Sequence, residues 1–161
     1  MLKIGKLTDY AIVCLYHLNN AGDHACLNAQ CLSDKSKIPM PTVAKVLKIM
    51  GKGGLIKSVR GIHGGYALTR PVQQITILEI LDIMEGKVAL TDCVDGVQNP
   101  CIAKKNCPLS GRWDVVNKSV RKALHSVTLH DMFAVKCAIQ DAPVRYSAIA
   151  DIKRLYDIAD T

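Results

Sequence analysis

The sequence predicts a mainly α-helical protein with one small β-hairpin wing: a winged helix-turn-helix followed by a long dimerisation helix. Three observations predict it. Residues 29–36 and 41–50 are two short helical segments separated only by a turn containing Lys37, Ile38 and Pro39, the layout of a helix-turn-helix. Residues 55–69 read as strand, glycine-rich turn, strand, with Pro71 stopping the second strand. Residues 35–78 contain Lys35, Lys37, Lys45, Lys48, Lys52, Lys57, Arg60 and Arg70 and no Asp or Glu, so the whole excess of the chain's net charge of +7 sits there. A surface of one sign is the footprint of a phosphate-rich partner.

The first helix is expected over residues 8–19. Thr8 can cap it, Ala11, Ile12, Leu15 and Leu18 recur at helical spacing, and Gly22 ends it. Asn28 can cap the second helix, which buries Leu32. In the third, opened by Pro41, the residues Val43, Val46, Leu47 and Met50 share one side and leave Thr42, Lys45 and Lys48 on the other. A polar, basic face on the second helix of such a pair suits the DNA major groove. Pro41, Thr42, Lys45 and Lys48 are therefore candidates for base reading, and Lys52 and Lys57 for phosphate contact. In the wing, Gly61, Gly64 and Gly65 permit positive φ and close backbone approach, which makes Arg60, His63 and Gly64 candidates for a minor-groove contact. A nucleotide phosphate loop would need a helix and a Lys-Ser/Thr pair after the glycines; a strand and Pro71 follow instead.

Thr76 and Glu79 form a capping box that opens a helix through Leu81 and Met84, ended by Gly86. Farther on, Trp113, Val116, Val120, Leu124 and Val127 recur every three or four residues on a helix expected over residues 111–127. This one-sided helix is assigned to dimerisation, because pairing two half-sites gives a helix-turn-helix protein most of its affinity and register. Packing against its own subunit is the alternative. Thr128 and Asp131 can box a short helix over residues 129–135, and residues 140–161 carry a weaker stripe. The expected organisation is a DNA-binding domain over 1–86, a cysteine-rich loop over 87–110, the dimerisation helix and short following helix over 111–135, and a loosely attached tail over 136–161.

Cys93, Cys101 and Cys107 crowd into fifteen residues together with Gly96, Asn99 and Pro100, turn formers that let the sulfurs converge. Zinc and iron–sulfur centres usually take four protein ligands, so three thiolates leave one to be found. Cys14, Cys26, Cys31 and Cys137 lie singly among apolar or helical residues and are expected to be packing residues. Seven cysteines, an odd count, and the lack of an export signal argue against a disulfide framework. No run approaches the ~20 apolar residues of a membrane helix, and a cytoplasmic protein without a membrane partner is expected. A hydrophobic share of 49% suffices for a core and argues against disorder. His17, His24, His63, His125 and His130 are scattered without a catalytic context, which argues against an enzyme.

Ser58-Val-Arg-Gly-Ile-His-Gly-Gly-Tyr-Ala-Leu in the wing, Lys6-Leu-Thr-Asp-Tyr-Ala before it, the three-cysteine loop and Trp113 together resemble the bacterial IscR- and NsrR-type iron–sulfur transcription regulators over about residues 1–135. Pro39-Met-Pro-Thr-Val-Ala-Lys-Val-Leu-Lys, Ala89-Leu-Thr-Asp-Cys and Cys107-Pro-Leu-Ser-Gly-Arg-Trp look most like regulators of the Suf iron–sulfur assembly operon. The resemblance implies a homodimeric repressor or activator on a double-stranded, pseudo-palindromic operator. It implies a two-iron or four-iron cluster near the start of the dimer helix, through which cluster status, or oxidative, nitrosative or iron stress, controls iron–sulfur assembly genes.

Cys93, Cys101 and Cys107 match that family's cysteine ligands, with a longer first spacing than in IscR-type members. Where those members have a histidine, this chain has Ser110, and a hydroxyl that is not ionised is a poor iron ligand. Asp9 matches the aspartate that NsrR-type members contribute from the first helix of the opposite subunit; its other reading is a helix-dipole residue. A thiol-redox or zinc-responsive regulator on the same scaffold, with no iron–sulfur cluster, is the remaining alternative.

Overall fold

The computed structural model describes residues 4–22, 26–61, 64–91, 107–109 and 111–134. Helices α1 (Lys6–Asn19), α2 (Ala29–Ser36) and α3 (Met40–Lys52) come first, then strands β1 (Ile56–Val59) and β2 (Gly65–Leu68) of the wing. A 3-10 turn, Val72–Gln74, leads into α4 (Ile77–Met84), and α5 (Trp113–His125) and α6 (Leu129–Ala134) follow. No helix among the described residues is long and apolar enough to cross a membrane.

The core closes where the stripes meet. Ala11, Leu15 and Leu18 of α1, Leu32 of α2 and Val43, Val46, Leu47 and Met50 of α3 are buried together with Leu55, Ile75 and Ile80. Burying one such side chain fully is worth about 1.5–3 kcal/mol. Leu32 is the buried residue of α2, and with Ala29, which packs against the same core, it docks the helix. Cys14 lies in the same core, where burial pushes its thiol up to about 11. Cys26 is half-buried, but Cys31 is exposed and is not the packing residue expected. It occupies the turn beside the cap while the next residue, Leu32, points inward. Cys137 lies outside the described residues.

Helices α1 and α3 start away from the expected residues. α1 begins at Lys6 with Gly5 as cap residue, and Thr8 is buried within the first turn. The Thr8 hydroxyl donates to Glu85 Oε1 at 2.6 Å, and the same oxygen accepts the Gly5 N–H at 2.6 Å. A carboxylate just past α4 therefore satisfies an orphan donor of α1 and sits at the positive end of its dipole. α3 begins at Met40, one residue before the expected Pro41, which falls in the first turn, where its missing N–H costs nothing.

The turn between α2 and α3 is tightly bonded. Asn28 Oδ1 caps α2 by accepting the Cys31 N–H at 2.8 Å. At the other end Lys37 takes a left-handed φ of 59°, and its N–H donates to the Ser33 carbonyl at 2.9 Å. The Ser33 hydroxyl donates to the Ile38 carbonyl at 2.7 Å, and Ser36 Oγ accepts the Ile38 N–H at 3.2 Å.

The wing pairs in antiparallel register from Ile56 with Leu68 to Val59 with Gly65. Leu27 adds a rung beside it, exchanging backbone hydrogen bonds of 3.1 and 2.9 Å with Tyr66. That rung explains Gly65: a Cβ there would stand 2.6 Å from the Leu27 carbonyl carbon. Gly61, with φ of 130°, supplies the positive-φ turn expected of the tip.

Both C-terminal capping boxes appear, in different forms. Thr76 Oγ1 accepts the Glu79 N–H at 3.2 Å, but the Glu79 carboxylate pairs with Arg70 instead of folding back. In the second, the Thr128 N–H and hydroxyl donate to Asp131 Oδ2 at 2.8 and 2.7 Å, and Thr128 Oγ1 accepts the Asp131 N–H at 3.2 Å. α5 stops at His125 rather than 127 because the Val127 carbonyl accepts the Ile77 N–H at 2.9 Å. Thr76 and Thr128 form an isolated bridge, which ties the junction of α5 and α6 to the start of α4.

Candidate nucleic-acid interface and cysteine loop

The solvent face of α3 consists of Met40, Pro41, Ala44, Lys45, Lys48 and Lys52, all exposed, with Thr42 half-buried beside them. α3 packs against β1, which carries Lys57, and Arg60 follows at the wing's tip; both are exposed. The ion pairs among the described residues, Arg70 with Glu79 and Arg121 with Asp82, use none of these cations. Lys45, Lys48, Lys52, Lys57 and Arg60 thus present unneutralised charge to solvent, whereas Arg70 is engaged. Gly64 is half-buried and donates its N–H to the Gly61 carbonyl at 2.9 Å; His63 lies outside the described residues.

The entrance of the cysteine loop is held from two sides. The Val88 N–H donates to Asp82 Oδ1 at 2.9 Å. Arg121 of α5 grips the same carboxylate with both terminal nitrogens, at 3.0 and 2.9 Å, and also donates to the Val88 carbonyl at 3.3 Å. Burial alone would raise the Asp82 carboxyl, but hydrogen bonds from Arg121 and Val88 and the charges of Arg121 and Lys87 outweigh it and hold the group below its ordinary value. The carboxylate in turn raises Arg121. One turn earlier on α5, Asn117 is 3% exposed and accepts the Leu90 N–H at 3.2 Å.

Thr91 Oγ1 is buried without a hydrogen-bond partner among the described residues. Cys107, at the far end of the loop, is a half-buried free thiol. Cys93, Cys101 and Ser110 lie outside the described residues, within which no group of three His, Cys, Asp or Glu side chains converges. Asp9 is exposed on α1, and its carboxylate has no partner among the described residues.

The exposed side of α5 carries apolar side chains beside Lys118, Ser119, Lys122 and His125. Trp113, Val115 and Val116 are 41%, 70% and 44% exposed, and Val127 just beyond is 40% exposed. Val120 is half-buried between them. Leu124 departs from the expected stripe, since it packs against the core of its own chain. Val115 falls outside the periodicity that marks the others. The Asp82–Arg121 pair, Asn117 and Glu85 are also not singled out by the sequence; the available signal is a lone charge or amide on an otherwise apolar helical side.

The family model of Rrf2, an iron-dependent transcriptional regulator, matches residues 4–135. The chain belongs to the Rrf2 family. Relatives include the HTH-type transcriptional regulator NsrR of Bacillus licheniformis, 28% identical over 134 aligned positions, with 81% of this chain and 92% of that protein covered. The protein aau3 of Rhizobium meliloti is 30% identical over 125 residues, 78% of this chain and 76% of its own. Among solved structures, IscR of T. potens matches with a TM-score of 0.61 at 25% identity, covering 88% of this chain and 93% of that one. CymR, the global cysteine regulator of B. subtilis, shares the fold with a TM-score of 0.62 at 23% identity, over 82% and 96% of the two chains. As an Rrf2 member the chain is a DNA-binding transcription regulator, not an enzyme.

Proposed function

We propose that the protein is a homodimeric regulator whose hold on DNA follows the state of an iron–sulfur cluster on Cys93, Cys101 and Cys107, and that it controls iron–sulfur assembly genes. The observation that carries this reading is the double anchorage of the cysteine loop. Residues 88–90 are bonded through Asp82 to the helix-turn-helix domain and through Asn117 and Arg121 to α5, so a change in the loop's shape bears on both.

The donor set fits such a group. Three thiolates and a carboxylate make four anionic ligands, and the Thr91 hydroxyl two residues before Cys93, which has no hydrogen-bond partner among the described residues, is a donor for sulfur. The fourth ligand is the partner subunit's Asp9. Glu85 already occupies the positive end of α1, which leaves the Asp9 carboxylate without that duty. When bound, the cluster supplies a group sensitive to oxidants, nitric oxide and iron supply.

On the DNA side, Pro41, Thr42, Lys45 and Lys48 enter the major groove, Lys52 and Lys57 hold phosphates, and Arg60, His63 and Gly64 meet the minor groove. Trp113, Val116, Val120 and Val127, joined by Val115, pair the subunits, so the operator is pseudo-palindromic. Leu124 supports this helix from beneath.

Anaerobic binding of one operator duplex by cluster-loaded and cluster-free protein tests the coupling. The expected result is a change in affinity of at least about fivefold, the low end of ordinary coupling energies. Equal affinities refute a cluster-sensing role. Stoichiometric zinc, or cysteines that change DNA binding only by forming disulfides, identifies the thiol or zinc regulator instead.

A further inference from the structure

We propose that α3 reads thymine, through contact of Met40, Pro41 and Ala44 with C5-methyl groups in the major groove. The inference rests on the placement of α3 in that groove, and deepens it by naming what the helix recognises.

The exposed face of α3 is divided by chemistry. Met40, Pro41 and Ala44, edged by the half-buried Thr42, make up its N-terminal half, and Lys45, Lys48 and Lys52 the remainder. These positions share one side of the helix. Their inward neighbours Val43, Val46, Leu47 and Met50 complete the core, so Met40, 41% exposed, is not needed there.

In a recognition helix the N-terminal residues reach base edges. Met40, Pro41 and Ala44 bring no side-chain hydrogen-bond donor and at most a weak thioether acceptor. Residues 35–78 contain no Asp or Glu, so no carboxylate there accepts from cytosine N4. An apolar patch pressed on a donor or acceptor edge strips its water and returns nothing. The thymine methyl is the apolar feature that the major groove offers. The positive charge of Lys45, Lys48 and Lys52 beside this patch complements a polyanion, which favours DNA as the occupant.

The test uses the full-length protein. It selects its operator from a pool of random duplexes, and affinity is then measured with each thymine in turn replaced by uracil. That exchange removes the methyl and keeps every hydrogen-bonding group. At contacted positions binding should weaken about fourfold per methyl, the transfer value of one buried carbon group. In Met40→Ala, with thermal midpoint unchanged, at least one of these penalties should disappear.

Uracil that changes nothing in an operator the protein still selects overturns methyl reading and leaves the DNA placement standing. Uracil penalties identical in wild type and Met40→Ala overturn the role of Met40. A pool with no enriched sequence, or a Lys52→Ala variant with wild-type salt dependence, overturns the placement of α3 itself.

Discussion

Replacing Asp82 with asparagine probes the latch between the DNA-binding domain and α5. The substitution keeps the side chain's size and removes its charge, so Arg121 loses a two-pronged partner held at 3.0 and 2.9 Å. Hydrogen bonds to charged groups are worth about 1.5–3 kcal/mol. The Arg121 and Asp82 side chains are 25% and 30% exposed, and water screens part of that, which leaves about 1–2 kcal/mol. With a urea dependence of about 1–3 kcal/mol per molar, the unfolding midpoint should fall by roughly 0.3–2 M at neutral pH.

The pH dependence has a definite sign. Asp82 is held below its ordinary value in the fold, while in the unfolded chain it titrates near ~3.9. Its stabilisation is therefore complete above the unfolded value and is lost as pH falls through the folded one. The gap between wild type and Asp82→Asn should be constant from pH 7 to about 5 and narrow below about 4. Equal midpoints at neutral pH, or a gap that does not narrow in acid, would refute the argument.

The other predictions concern DNA, pairing and the cluster. With about six phosphates neutralised, wild-type affinity should fall with a log–log salt slope of about −5, and Lys52→Ala should make it shallower by about 1 for each phosphate it no longer neutralises, as read by fluorescence anisotropy across a salt series. Val116→Glu puts a charge among the exposed apolar side chains of α5 and should shift the protein to monomer in analytical ultracentrifugation at micromolar concentration; an unchanged dimer would assign that face to something else. Asp9→Ala should leave thermal stability and the helical circular dichroism unaltered while the visible absorbance of the anaerobic protein decays severalfold faster, and a wild-type decay would remove Asp9 from the ligand set.

What can be read from the sequence is what neighbouring residues decide. Asn28 caps α2 and Thr128 with Asp131 opens α6, each through contacts three residues apart, and Leu32 stands out as the apolar residue of a polar helix. The cationic face of α3 is legible for the same reason, since Val43, Val46, Leu47 and Met50 fix which side is left outside. Thr8 reads as a cap, and is not one, because its partner Glu85 is 77 residues away. The end of α5 falls earlier than periodicity suggests because Val127 is drawn into a bridge with the start of α4. Periodicity cannot separate the two apolar edges of α5, so it groups Leu124, which packs inward, with Trp113 and Val116, and leaves Val115 out. The Asp82–Arg121 latch spans 39 residues and has no local signature.

The proposed regulation requires that Cys93, Cys101 and Cys107 carry an iron–sulfur cluster. The decisive measurement is anaerobic purification of the chain, with visible absorbance and iron and acid-labile sulfide assayed per subunit. The protein should be brown, with iron and sulfide in comparable amounts, both absent from Cys107→Ser; a colourless protein, or one with stoichiometric zinc and no sulfide, rules the cluster out.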